Sequence, residues 1–365
     1  MLTKDPTLAQ WAEWWLETYV KPVAKPSGYE HYYDNIHKHI VPRLGTYKLS
    51  ELTTPVVQKF LNYVAERGNL RNGGPLSPKS IKNMRVVLDV CCKRAVADGY
   101  MAANPVPATV FRHCPTQGIE ILTEENQKTL EEWLFQNLSL QDAGIIQGLY
   151  SGMRLGEVCA ARFRNYDPVK RCLYVEETVR RISDFDRSSE CQPRTKLVFS
   201  SVKTKSSQRK LPLPDVLNSL IGFQYQRFGE MFGHAPGPDD FIFFNSKGGV
   251  TDPDNLSHYF GDVLEGLGLP HIKYHALRHT FASRAVEKGV DVATVAGLLG
   301  HADVTTTTHY YVHPREEAMR RAMSSLTTAG GNFPFSAMQI PIGLPWGNDL
   351  TLSQPARVCR RRKCV

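Results

Sequence analysis

The stretch "ANPVPATVFRHCPTQG", residues 103 to 118, constrains the fold of this chain more than any other. It holds Pro105, Pro107 and Pro115 and ends on Gly118. Proline fixes φ and has no amide donor, so neither a helix interior nor a central strand passes through such a run. Between two periodic regions this composition reads as a connection between domains. We therefore expect a first domain over residues 1–112, a linker over 113–122, a second domain over 123–326 and a flexible tail over 327–365. A chain of 365 residues suits that division.

The first domain reads as all-helical. Trp11, Trp14, Trp15 and Tyr19 recur at helical spacing. Thr54-Pro55 and Ser77-Pro78 each look like an N-cap followed by proline at the first helical position. After Ser77, Ile81, Met84, Leu88, Cys91 and Ala95 repeat every three to four residues. Lys79, Lys82 and Arg85 fall on one face of that helix. Such a stripe is either a solvated face or a phosphate-contacting one.

The second domain is mixed. Thr123 caps a helix whose first turn carries Glu124 and Glu125, acids that complement the helix dipole. Helices continue to about 163. Segments 172–179 and 196–202 read as strands, with a polar loop between them and 207–214 as the return strand of a hairpin. Helices follow over about 215–232, 253–266, 274–288, 291–299 and 315–326. The fold class is thus mainly α with a small antiparallel β-sheet. The tail, rich in Gly and Pro, shows no sustained period and ends with Arg357 and Arg360 to Lys363.

Charge bounds the partners. The 44 Lys and Arg against 36 Asp and Glu give +8, a bias toward polyanions. Eight cysteines in a chain this long make no disulfide framework, and no CxxC zinc pair occurs. The N-terminus has no apolar signal region, and no segment is apolar for long enough to span a bilayer. A reduced, cytoplasmic protein is expected.

Four short patterns carry chemistry. "SGMRLGEV" (151–158) sets Arg154 at a helix-to-helix turn, three residues before Glu157. "VKTKSSQRKLPLP" (202–214) puts Lys203 at a tight polar turn with Lys205, Arg209 and Lys210 nearby. "HALRHTFAS" (275–283) puts His275 and Arg278 on one helix face, with His279 expected on another side. "LLGHADVTTTTHYYVH" (298–313) places His301 nine and ten residues before Tyr310 and Tyr311. Each alone is most often structural. Together they suit one task. Two guanidinium groups grip the non-bridging oxygens of a phosphodiester in a fork geometry that lysine lacks. A tyrosine attacks phosphorus, and a lysine protonates the departing 5′-oxygen.

In order and spacing, these four motifs resemble the tyrosine recombinases, or phage-type integrases. "TLAQWAEWWLETYVKP" and "LSPKSIKNMRVVLDVCCKRAVADGYMAANPV" are similar to the helical core-DNA-binding domains of integrases from phages and conjugative transposons. The resemblance covers about 320 of 365 residues. It implies a helical core-DNA-binding domain followed by a mixed α+β catalytic domain. It implies that Arg154 and Arg278 bind the scissile phosphate, with Glu157 supporting Arg154. Lys203 is then the general acid, His275 assists proton transfer, and His301 bonds the phosphate. Tyr310 lies at the family's usual distance from His301, and Tyr311 is its rival. Lys79, Lys82, Arg85, Lys205 and Arg209 are the candidate DNA contacts.

The implied reaction is site-specific integration or excision of a phage or mobile element through a 3′-phosphotyrosine, without metal or other cofactor. The implied partners are double-stranded DNA core sites and further copies of the chain, as a dimer per site and a tetrameric synapse. DNA-bending accessory proteins are compatible with this, and no membrane partner is expected. The implied location is the cytoplasm of a bacterial cell, at the nucleoid when active. A separate arm-site-binding domain is expected to be absent. Two alternatives share parts of the pattern: a type IB topoisomerase that relaxes DNA, and a non-catalytic DNA-binding protein.

Overall fold

The computed structural model describes residues 3–110, 120–186, 192–202 and 208–301. All belong to one compact unit, Met1–Val312. Within it lie two large hydrophobic cores, one built from residues 8–106 and one from residues 122–277. The proposed tail, the helix expected over 315–326, and Lys203, Lys205, Tyr310 and Tyr311 lie outside the described residues.

The first core is helical. α1 (Leu8–Trp15) starts at a capping box in which Thr7 accepts from Gln10 N. Trp11 and Trp15 turn inward and are almost fully buried. A π-helical turn continues the chain over Leu16–Val20, and another follows α2 (Pro26–Asn35) before α3 (Val41–Leu44). α4 (Thr54–Arg67) and α5 (Pro78–Ala97) complete the layer. Ser77 caps α5 as expected, accepting from Ser80 N, with Pro78 first in the helix. Caps of this kind typically contribute about 1 kcal/mol. Thr54 is not the cap of α4. The N-cap is Thr53, and the Thr54 hydroxyl instead donates to Pro105 O at 3.1 Å.

That bond shows where the proline-rich break begins. Val106 is fully buried in the first core, and Gln58 holds Val110 through both its backbone N and O. Residues 104–110 therefore pack on the first domain as part of it. Arg85 is used for this. Its Nε donates to Thr109 Oγ1 and its Nη2 to Val106 O and Pro107 O. The stripe expected on α5 thus divides: Lys79 and Lys82 are exposed, whereas Arg85 is committed to its own chain.

The second core is layered around α7 (Leu140–Ser151), which is buried on nearly every side. An all-round buried helix is the centre of its domain. α6 (Glu124–Gln136), capped by Thr123, and α8 (Leu155–Ala160) flank it in sequence. The strands are β1 (Tyr166–Asp167), β2 (Cys172–Val175), β3 (Glu177–Ser183), β4 (Thr195–Ser201) and β5 (Arg209–Pro212). α9 (Asp215–Phe232), α10 (Pro253–Gly266), α11 (His275–Glu287) and α12 (Val292–Leu299) close the domain.

Strand pairing differs from the expected hairpin. β5 does not return along β4. β4 pairs antiparallel with β3, and β5 pairs antiparallel with β2. Ser201 lies opposite Glu177, Val202 N donates to Glu176 O at 3.1 Å, and Arg209 lies opposite Val175. β4 and β5 therefore both pair along the 172–183 segment, β4 with its second half and β5 with its first. The polar stretch after Val179, expected as loop, starts as strand, and Arg181 within it finds distant partners. Arg181 bonds Asp252, the N-cap of α10 (Pro253–Gly266), at 2.5 Å and Thr195 at 2.8 Å. From the end of β3 the chain meets the first core: Ser183 N donates to Glu30 Oε1, and the Phe185 ring stands 4.5 Å from that of Tyr33.

Candidate active site

Four of the expected residues converge from three places in the chain. α7 ends at Gly152, whose φ of 63° is left-handed and suits glycine. A Cβ there would sit 2.6 Å from Phe281 and 2.9 Å from Leu299. α11 and α12 thus close directly onto the turn that delivers Arg154.

Arg154 is the N-cap residue of α8. Glu157 folds back over it: Oε2 accepts from Arg154 N at 3.0 Å and Oε1 from Arg154 Nη1 at 2.7 Å. The Glu157 side chain is 1 % exposed and that of Arg154 38 % exposed, so the pair is anchored inside while the guanidinium reaches the surface. Burial pushes the Glu157 carboxyl up. The hydrogen bond and charge of Arg209, joined by those of Arg154, outweigh burial and hold it below its ordinary value.

Arg278, on α11, is buried. Its Nη1 donates to Gly152 O at 2.8 Å and its Nη2 to Leu299 O at 2.7 Å. One guanidinium therefore ties the turn before Arg154 to the end of α12, two residues before His301. Gly300, at φ 67°, ends α12. α11 is itself fixed from outside: Thr280 Oγ1 accepts from Leu122 N, and Arg284 Nη2 donates to Leu122 O at 2.8 Å.

His275 and His301 face this cationic cluster. Burial draws the His275 ring down to about 4, and His279, Arg278, Arg154 and His301 add to it. Burial draws His301 to about 4 as well, helped by Arg278 and Arg154. Both rings are neutral at pH 7. His279 does not lie apart from this group: its ring stands edge-on to His275 at 4.8 Å, as an i, i+4 neighbour must.

These depressed values have a sign. Unfolded histidines titrate near 6.5 and bind more protons than the folded ones between about pH 4 and 6.5. Stability is fully present above that window and is lost as pH falls through it. Thermal unfolding should therefore show a lower midpoint at pH 5 than at pH 7, and His275→Gln should shrink that difference.

Arg209 was expected as a surface DNA contact, and the structure corrects this. Its side chain is 6 % exposed, with Nη2 on Glu157 Oε2 at 2.9 Å and Nε on Leu298 O at 2.7 Å. The signal was strand alternation. Arg209, Leu211 and Leu213 share the inward face of β5 and its continuation, and both leucines are buried.

The profile of the phage integrase family matches residues 120–318, and that of the family's N-terminal SAM-like domain matches residues 7–65. The chain belongs to the phage integrase family. Among relatives of this integrase, a XerC-like tyrosine recombinase of Caldanaerobacter subterraneus subsp. tengcongensis is 27 % identical over 339 residues, covering 88 % of this chain and 83 % of that protein. The transposase of transposon Tn916 from Enterococcus faecalis is 25 % identical over 226 residues, covering 56 % of this chain and 51 % of that one. In fold, the integrase is similar to the Tn1549 transposon integrase in complex with transposon right end DNA. That match has a TM-score of 0.70 at 20 % identity and covers 88 % of this chain and 99 % of the other. It is also similar to a lambda integrase dimer bound to a core site, with a TM-score of 0.62 at 19 % identity, covering 85 % and 97 %. The protein is a site-specific recombinase of the tyrosine type that cleaves and rejoins DNA.

Proposed function

We propose that Arg154, Arg278, His275 and His301 form the phosphate-binding face of this recombinase and that Tyr310 is its nucleophile. The observation that carries the reading is the convergence of the four on the Gly152 turn, with Arg278 held by carbonyls of that turn and of α12. A guanidinium has five N–H donors in a planar fork, so one that anchors two carbonyls is also rigid toward an anion. Each preorganised donor of this kind is typically worth roughly 3–4 kcal/mol in the transition state.

The chemistry follows from charge. Tyr310 Oη attacks phosphorus, and a 3′-phosphotyrosyl bond forms as the bond to the 5′-oxygen breaks. His275, neutral before substrate binds, accepts the tyrosine proton. Lys203 donates a proton to the departing 5′-oxygen. Arg154 and Arg278 balance the negative charge that builds on the non-bridging oxygens, and His301 donates a hydrogen bond to one of them. Reversal on a partner strand's 5′-hydroxyl completes exchange without an external energy source.

The substrate is double-stranded DNA at a core site, held between the helical first domain and the catalytic second domain, with Lys79 and Lys82 as backbone contacts. Residues 1–112 serve as the core-DNA-binding domain and residues 123–326 as the catalytic domain. A dimer occupies each site and a tetramer the synapse, the arrangements seen for lambda integrase on a core site and on a Holliday junction. The act is integration or excision of a mobile element.

Product analysis tests this against its rivals. On a supercoiled plasmid carrying two copies of a core duplex selected for binding from a randomised pool, recombinant junctions and Holliday intermediates are expected. Relaxation without exchange would support a type IB topoisomerase. Salt-sensitive binding with intact strands would support a non-catalytic DNA-binding protein.

A further inference from the structure

We infer that Arg209 is a positioning residue for strand cleavage: it holds Glu157 and the end of α12 so that Arg154 and His301 meet the scissile phosphate aligned and with the charge of Arg154 intact. The inference rests on the reaction proposed above and adds a residue that the four motifs did not place in the catalytic set.

The geometry is that of a bracket. Arg209 opens β5, opposite Val175 of β2, so the ladder fixes its backbone. Its side chain points inward and divides its donors between two elements. Nη2 reaches the Glu157 carboxylate on α8, and Nε reaches the Leu298 carbonyl at the end of α12. The first element carries Arg154 and the second leads into His301. Only a planar fork spans both acceptors; a lysine ammonium presents its donors from one nitrogen.

The charge count gives the second half. Glu157 is shared by Arg154 and Arg209, so two cations face one anion and the trio is net positive. Without Arg209 the buried carboxylate would cancel Arg154 alone, and the phosphate would meet a neutral pair. A DNA-backbone role fits poorly with a side chain 6 % exposed.

Three variants test this: Arg209→Met, Arg209→Lys and the double variant Arg209→Met with Glu157→Gln. Two quantities are read: DNA affinity as a function of salt, and single-turnover cleavage of a nicked duplex at saturating concentration. Affinity and its salt slope should stay within twofold of the native chain. Cleavage should fall roughly a hundredfold in Arg209→Met, the typical cost of misplacing a catalytic group by about 1 Å, and at least tenfold in Arg209→Lys. The double variant should cleave at least tenfold faster than Arg209→Met, because an amide at 157 no longer cancels Arg154. A merely structural Arg209 gives no such recovery.

Cleavage within threefold of native in either single variant would overturn the inference. So would a double variant no faster than Arg209→Met. So would a parallel loss of affinity and cleavage with a salt slope shallower by about one, the mark of a phosphate contact. If Arg209→Met does not fold, the cleavage rate of Arg209→Lys decides the matter. NMR titration of the His301 ring in the free protein separates this inference from the reaction itself. Loss of the Arg209 charge should raise that titration whether or not DNA is cut. A native chain that never cleaves rejects the reaction; an unmoved His301 rejects the positioning role.

Discussion

Arg278→Ala should lose folding stability and cleavage together, whereas Arg154→Ala should lose cleavage almost alone. The two arginines share a proposed role but not a setting. Arg278 is buried, and its removal strands the carbonyls of Gly152 and Leu299. Hydrogen bonds to a charged group are worth about 1.5–3 kcal/mol each, so the expected loss is roughly 3–6 kcal/mol. Arg154 is 38 % exposed on its side chain, and Glu157 keeps Arg209 when it goes. Its loss should cost under about 2 kcal/mol. Cleavage should fall at least 10²- to 10³-fold in both, the typical effect of deleting one transition-state donor. Urea unfolding beside single-turnover cleavage reads both quantities. Equal stability losses in the two variants would mean that the Gly152 and Leu299 carbonyls do not depend on Arg278.

Tyr310→Phe should bind DNA as tightly as the native chain and form no covalent complex. The change removes one oxygen, the atom proposed to attack phosphorus, and leaves the ring and all cationic groups in place. Tyr311→Phe should cleave at nearly the native rate. The reverse outcome would move the nucleophile by one residue while leaving the phosphate-binding face as described.

How much of this was legible depends on the range of the forces involved. The helices over 215–232 and 253–266 and the caps at Ser77 and Thr123 follow from neighbours a few residues away, and they stand where the local pattern put them. Thr54 looks like a cap from its neighbours alone, but its hydroxyl is claimed by Pro105, which is close only after folding. Strand pairing is non-local for the same reason: β4 and β5 are adjacent in sequence, yet both pair with the 172–183 segment instead of each other. Arg85 and Arg209 look like surface charge in a basic chain. One proves to hold the proline-rich segment against α5, and the other the buried Glu157 carboxylate. For Arg209, alternation with Leu211 and Leu213 already marked the inward face. Charge is a weaker guide to exposure than strand period, because a buried carboxylate can offset the burial of a guanidinium.

The central claim is that Tyr310 becomes covalently joined to DNA at the cluster formed by Arg154, Arg278, His275 and His301. The most direct measurement traps the native chain on a nicked core duplex whose cleaved fragment diffuses away, digests the complex and maps the nucleotide-bearing peptide by mass spectrometry. The account predicts a 3′-phosphate remnant on Tyr310. A remnant on any other side chain, or none on duplexes that the protein binds specifically, would contradict it.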